Sequence, residues 1–269
     1  YQAGVFLSGS VNYIFSNWRH AFFVGSLPAL LVILLRMTLK ESDKWLAHAH
    51  GHSSEDEKIP SGEFSKSLMK ELFSSKNTKS LLIGGLSFGA LLIGYWASLS
   101  WIPTWIQSLL TDQSSSIERS IATMVQGFAA IIGCSSAGFL CDWIGRKKTL
   151  LLSFLGCFGA SCLLFMTNVQ FTNLVYWQVA LLGYFIGLSQ ATLYIYLPEL
   201  FNTKVRASGT GFCLNVGRLV TIISVLFVGT LVALFGGYGK AAFAFSFAYL
   251  LGSVLCLFAS ETKGKILPV

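Results

Sequence analysis

Charge is scarce in this chain. Lys, Arg, Asp and Glu make up 12% of its 269 residues, about half the roughly 25% typical of a soluble globular domain. Proline is also scarce, with five residues, so few positions force a helix to stop or kink. No acid lies in the middle of an apolar run. Alternating segments of about ten residues, which would mark a transmembrane barrel, are missing. So are the H-E-x-x-H and G-x-G-D patterns, and no pair of polar groups inside the apolar runs has hydrolytic logic. An intramembrane enzyme is therefore disfavoured. Cys134, Cys141, Cys157, Cys162, Cys213 and Cys256 show no metal-ligand or disulfide-framework spacing and sit in or at the end of apolar runs; they read as reduced packing residues. What the chain has in abundance is apolar sequence. It is 54% hydrophobic, with a mean hydropathy of +0.64. Its apolar residues fall in runs long enough to cross a hydrocarbon core of about 30 Å. The class is an all-α, polytopic membrane protein with no implied cofactor.

Read in order, residues 1–15 are apolar but too short to span, and look like the end of a helix. A turn at Asn17–His20 precedes a span at 18–36 that contains Pro28. Residues 37–79 form the one long polar segment and hold seven of the twelve acids. The part from His48 to Gly62 has linker composition. His48, His50 and His52 alternate within it, a weak metal pattern with no supporting shell. From Glu63 to Lys76, Phe64, Leu68 and Leu72 recur every four residues, which predicts a short amphipathic helix at the membrane surface or in solvent. Six further spans are expected at 80–102, 119–141, 149–167, 174–196, 207–234 and 238–259. Their short connections predict antiparallel neighbours.

The net charge of +7 does not point to nucleic acid, because the cations lie in short loops between spans rather than on one soluble face. Placing the turn before Lys148 in the cytoplasm puts fifteen of the nineteen Lys and Arg residues inside. Arg19, Arg119 and Lys240 are then outside, and Arg218 is within the membrane. Cations concentrate on the cytoplasmic side of membrane proteins, so this split sets the orientation.

The turn itself, Gly138 to Lys148, reads G-x-x-x-D-x-x-G-R-K-K. It resembles the loop motif of the major facilitator superfamily of transporters. Four more stretches, in the family's order, resemble its motifs: Lys40-Glu41-Ser42-Asp43-Lys44-Trp45-Leu46, Pro198 through Ala207, Gly209 through Arg218, and Glu261-Thr262-Lys263-Gly264. Lys40, Asp43, Asn202 and Ser260 stand where that pattern usually has proline. The wording around Trp101–Trp105 and Tyr196–Glu199 is more similar to the metabolite:proton symporter branch than to typical sugar porters. The resemblance implies twelve helices in two six-helix halves. Residues 1–36 would then be the end of helix five plus helix six, 37–79 the cytoplasmic inter-half linker, 80–260 the C-terminal six-helix bundle, and 261–269 a cytoplasmic tail. The start at Tyr1, without Met, agrees with a chain that lacks its first half.

Arg218 is the sharpest candidate for function. It lies twelve residues after Arg206, about 18 Å along a helix, near the bilayer midplane. A cation there usually faces a cavity or a partner. Gly211, Asn215 and Arg218 share one helical face, so Arg218 is expected to bind an anionic group with Asn215 assisting; a structural pair with a carboxylate elsewhere is the alternative. Gln190 and Tyr194, on the face of Gly183 and Gly187, and Tyr95, Trp96 and Gln126 are further candidates for a cavity wall, or else packing residues. The resemblance makes Asp142, Arg146, Glu199 and Arg206 a salt-bridge lock at the cytoplasmic end; topology and headgroup anchoring are the plainer alternative. The expected function is secondary active transport of a small organic anion (sialate, carboxylate or aromatic acid) across the cell membrane by alternating access. Proton coupling is implied by the family only. A neutral-sugar porter and a non-transporting sensor on the same fold are the competing readings.

Overall fold

The structure is a computed structural model that describes residues 1–15, 17–38, 69–110 and 116–264. The Lys40–Leu46 motif, the three alternating histidines and residues 63–68 of the expected amphipathic segment lie outside the described residues. Every regular element among the described residues is a helix: α1 (Gln2–Ile14), α2 (Trp18–Thr38), α3 (Ser75–Leu109), α4 (Ser116–Ile144), α5 (Arg146–Thr167), α6 (Leu174–Glu199), α7 (Arg206–Leu226), α8 (Val228–Phe235) and α9 (Tyr238–Phe258). Six of them are long and apolar enough to cross a membrane: α2, α3, α4, α5, α6 and α9.

Several expected boundaries move, each for a physical reason. The span expected at 207–234 is two helices, because the backbone leaves the helical region at Phe227 (φ −95°, ψ 3°). Hydropathy cannot register that break, since Phe227 is as apolar as its neighbours. α3 begins at Ser75, inside the expected linker, and continues through Pro103 to Leu109. Trp101, Ile102, Trp105 and Ile106 on either side of the proline are 5, 0, 4 and 0% exposed, and this packing holds the helix across the lost hydrogen bond. α4 extends to Ile144 and α5 starts at Arg146. The whole turn between α4 and α5 is thus reduced to Gly145, whose φ of +96° is a conformation that glycine adopts with little penalty.

The helices pack as a bundle in which α4 lies against α6 and α1, α3 against α9 and α7, and α5 against α9 and α6. The main core contains Phe88, Leu91, Tyr95, Phe154, Leu182, Ile186, Tyr196 and Tyr249. Close approach of α4 and α6 depends on small residues. A Cβ at Gly183 would run into the Gln126 carbonyl, one at Gly187 into the Ala130 carbonyl, and one at Gly133 into the Tyr184 carbonyl. α1 reaches the same region through Gly9 and Gly127, which abut Met124 and Phe6.

Candidate functional site

A cavity of about 520 Å³ opens at mid-depth. It is lined by Tyr1 just before α1, Phe88, Leu92, Tyr95 and Trp96 of α3, Gln190 and Tyr194 of α6, and Arg218, Thr221, Ile222 and Leu226 of α7. Five of the residues singled out from the sequence, Tyr95, Trp96, Gln190, Tyr194 and Arg218, therefore meet around one space. The wall is mostly aromatic and aliphatic, with a few polar groups directed into it, as in small-molecule sites generally. Arg218 is exposed in the structure, and its Nη1 donates to Asn215 Oδ1 at 3.5 Å. The Asn215 amide donates to the Gly211 carbonyl at 2.8 Å. Asn215 thus stands beside Arg218 and orients it but does not line the cavity. Thr221, one turn beyond Arg218, does line it; extending the Arg218 face by i, i+3 spacing points to it.

Gln126 is not at the cavity. It is 3% exposed, lies where α4 meets Gly183 of α6, and its Nε2 is buried without a hydrogen-bond partner. Polarity alone suggested a wall position, but the close α4–α6 crossing turns this residue into the helix interface.

Two contacts made by the start of the chain, at the cavity and beside it, escaped the sequence reading. Tyr1 sets its ring edge-on to Tyr95, with centroids 5.9 Å apart. Gln2 donates from Nε2 to Gln190 Oε1 at 2.7 Å, a buried bond across 188 residues. It ties α1 to α6 beside the cavity, through Gln190 of its wall. A smaller cavity of about 320 Å³ on the far side of this bond shares Tyr1, Gln190 and Tyr194 with the first.

The charged end of the bundle is built on Gly145. Arg146 donates from Nη2 to Glu199 at 3.0 Å and from Nε to both Glu199 oxygens at 3.2 and 3.1 Å. Its Nη1 reaches Asp142 at 3.0 Å and the Cys141 carbonyl at 3.2 Å. The Arg146–Glu199 pair is largely shielded, at 17 and 18% side-chain exposure, whereas Asp142 is 78% exposed, so the Glu199 contact is the stronger of the two. Arg206 Nε donates to the Phe201 carbonyl, which holds the turn between α6 and α7.

Glu261, quoted above only as part of a motif, completes this end. Its carboxylate accepts the backbone N–H of Arg146 at 2.9 Å and of Lys147 at 3.2 Å. It therefore caps the open start of α5 with a negative charge, as exposed helix N–H groups favour. It also accepts from the N–H groups of Thr262 and Lys263. Burial raises its pKa, but these four donors outweigh burial and hold the carboxyl below its usual range. The Thr262 hydroxyl donates to Glu199. Lys263 and Lys147 donate to the Trp143 and Leu257 carbonyls, at the C-terminal ends of α4 and α9. Four helix ends are thus joined in one network.

Gly85-Leu86-Ser87-Phe88-Gly89 spells the letters of a nucleophile elbow, but it lies inside α3, with Ser87 3% exposed. The strand-to-helix turn that such an elbow needs is not there. Among the described residues, no group of three His, Cys, Asp or Glu side chains is placed to hold a metal ion.

The fold and site together define a polytopic helical bundle with a mid-depth cavity and an ion-paired end. The chain belongs to the Major Facilitator Superfamily, whose sequence profile matches residues 2–225; this is a family of transporters and not of enzymes. The chain is 27% identical over 253 residues to the cis,cis-muconate transport protein of Acinetobacter baylyi, covering 92% of this chain and 58% of that protein. It is 26% identical over 271 residues to the niacin transporter NiaP of the same organism, covering 93% and 60%. The chain therefore spans about three-fifths of the length of these relatives. The fold matches the crystal structure of a D-xylose-proton symporter with a TM-score of 0.69 and 21% identity, over 99% of this chain and 63% of that one.

Proposed function

We propose that this chain forms the cavity wall and one gate of a secondary active transporter for a small organic anion, working by alternating access. The observation that carries the reading is Arg218: a cation at mid-depth, set in the wall of a cavity of about 520 Å³ among aromatic rings and one bound glutamine. A guanidinium there offers paired donors to a carboxylate, and the rings supply apolar contact. Two of the similar carriers have names that refer to muconate and niacin, both carboxylates, which supports the same class. The network of Arg146, Asp142 and Glu199, with Arg206 at the following turn, is the proposed cytoplasmic gate. Pairs of this kind bias a two-state equilibrium when they form in one state and part in the other. The concentration of cations at this end supports a cytoplasmic position for it, in a protein read as one of the cell membrane. Proton coupling enters on family grounds alone, because the acids of the described residues lie at helix ends and none is at cavity depth.

The test is uptake by the intact protein in proteoliposomes, with muconate, nicotinate, sialate and a hexose, with and without a proton gradient. Carboxylate uptake is expected, with the apparent affinity reduced about tenfold or more in Arg218→Gln, the size of a lost hydrogen bond to a charged group. Unchanged affinity in that variant would overturn the role of Arg218. Hexose uptake alone would favour the neutral-sugar reading, and no uptake of any solute a sensor on this fold.

A further inference from the structure

We propose that Gln190 is a second donor of the mid-depth site, and that Gln2, outside the cavity, holds it in the donating orientation. The substrate is then a carboxylate that carries a further hydrogen-bond acceptor. This rests on the anion reading above, with the carboxylate on Arg218.

The argument starts from a buried amide with an unused half. Gln190 is 9% exposed and lines the cavity of about 520 Å³. A glutamine amide offers one carbonyl acceptor and two N–H donors. The Gln190 carbonyl is taken, because it accepts the Gln2 amide at 2.7 Å. Among the described residues, Gln190 makes no other hydrogen bond. A buried donor left without an acceptor is costly, and an acceptor bound in the cavity removes that cost. Thr221, another polar group of the wall, is already committed: its hydroxyl donates to the Gly217 carbonyl at 2.8 Å.

Gln2 acts from the far side. It is 6% exposed and lines the smaller cavity of about 320 Å³, but it is not in the wall of the larger one. It holds the Gln190 carbonyl on its own side, which leaves the N–H edge to the larger cavity. The terminal torsion of a glutamine is broad and roughly two-fold. An unheld amide would therefore present its carbonyl as readily as its N–H groups, and the Gln2 bond removes that choice. Arg218 on α7 and Gln190 on α6 both donate to one space. A site built to donate discriminates against an analogue that lacks the matching acceptor.

Equilibrium binding to the intact protein in maltoside micelles tests this with benzoate, nicotinate and isonicotinate. The last two add a ring nitrogen, a pure acceptor, at two positions. The better of them should bind about fivefold tighter than benzoate, the size of one neutral hydrogen bond. Gln190→Met should bring that ratio to unity. Gln2→Met, which leaves every residue of the cavity wall in place, should lower the ratio at least by half, to about 2.5 or less. A purely structural loss would weaken all three acids alike and leave the ratio where it was. Gel filtration identifies variants that fail to fold, and the two substitutions give independent measures.

A parent ratio of unity overturns the proposal, as does a ratio unchanged in Gln190→Met or in Gln2→Met. A preference that survives Gln190→Met and disappears in Tyr95→Phe or Tyr194→Phe would assign the donor to a hydroxyl and also overturn it. Weakening of all three acids in Arg218→Gln, with a parent ratio of unity, would leave the anion reading standing alone. The corresponding neutral amides separate the opposite case. If they show the Gln190-dependent preference and the acids show no dependence on Arg218, the anionic reading falls and the donor role of Gln190 stands.

Discussion

Arg146 at the start of α5 and Glu199 at the end of α6 are joined by three hydrogen bonds of 3.0–3.2 Å across 53 residues of sequence. Both groups are shielded, so losing one partner leaves the other charge poorly solvated. In a double-mutant cycle of Arg146→Gln and Glu199→Gln, a coupling energy of about 1–3 kcal/mol is expected, read as the change in thermal stability of the detergent-solubilised protein. A cycle that closes with additive effects would mean that the pair contributes nothing to the fold.

The cap formed by Glu261 gives a prediction with a defined sign. Its folded-state pKa lies below the ordinary value of 4.5. The stabilisation is therefore fully present above that value and is lost as pH falls through the lower, folded-state pKa. Melting temperatures taken between about pH 3 and pH 7 should show an acid limb that is flattened in Glu261→Gln. Glu261→Gln should also be less stable at neutral pH, where the carboxylate cap is otherwise charged. A variant with an acid limb as steep as the parent's would remove Glu261 as the cause.

Gly145 combines a positive φ of 96° with a crowded surrounding: a Cβ there would lie 2.6 Å from Glu261 Oε2. Gly145→Ala should therefore be destabilising by about 1–2 kcal/mol from the backbone alone, with loss of the Glu261 cap adding to it. The expected readout is a lower melting temperature that Glu261→Gln worsens little further, since both changes disturb one contact.

The α4–α6 crossing offers a contrast within one chain. Gly187→Ala pushes a methyl group into the Ala130 carbonyl, whereas Gly211→Ala on α7 meets nothing within 4 Å. The first should lower stability by about 1–3 kcal/mol. The second should be neutral or slightly stabilising, because alanine favours helix over glycine. Equal effects at the two sites would contradict the packing described here.

Much of this architecture was legible in the sequence. Arg146 and Glu199 were expected in one lock because of the family resemblance; Gln190, Tyr194 and Arg218 were candidates from helical spacing, and Tyr95 and Trp96 from their place late in a span. Gln126 was misplaced for one reason. α4 and α6 are apolar around most of their circumference, so periodicity does not tell a cavity face from a helix interface. Glu261 was visible as a residue but not as a cap, because its partners lie more than a hundred residues away.

The sequence by itself determined what depends on local composition: the helical membrane class, the sites of the spans and the side that carries the cations. Bilayer thickness and charge asymmetry act on each segment separately, and a run of residues records them directly. Only the tertiary structure decided which polar groups meet. Gln2 joins Gln190, Asn215 steadies Arg218, Glu261 closes the start of α5, and the apolar run expected at 207–234 breaks at Phe227. Those outcomes depend on which helices lie side by side and how closely their glycines let them approach, a property of the packed bundle and not of any one segment.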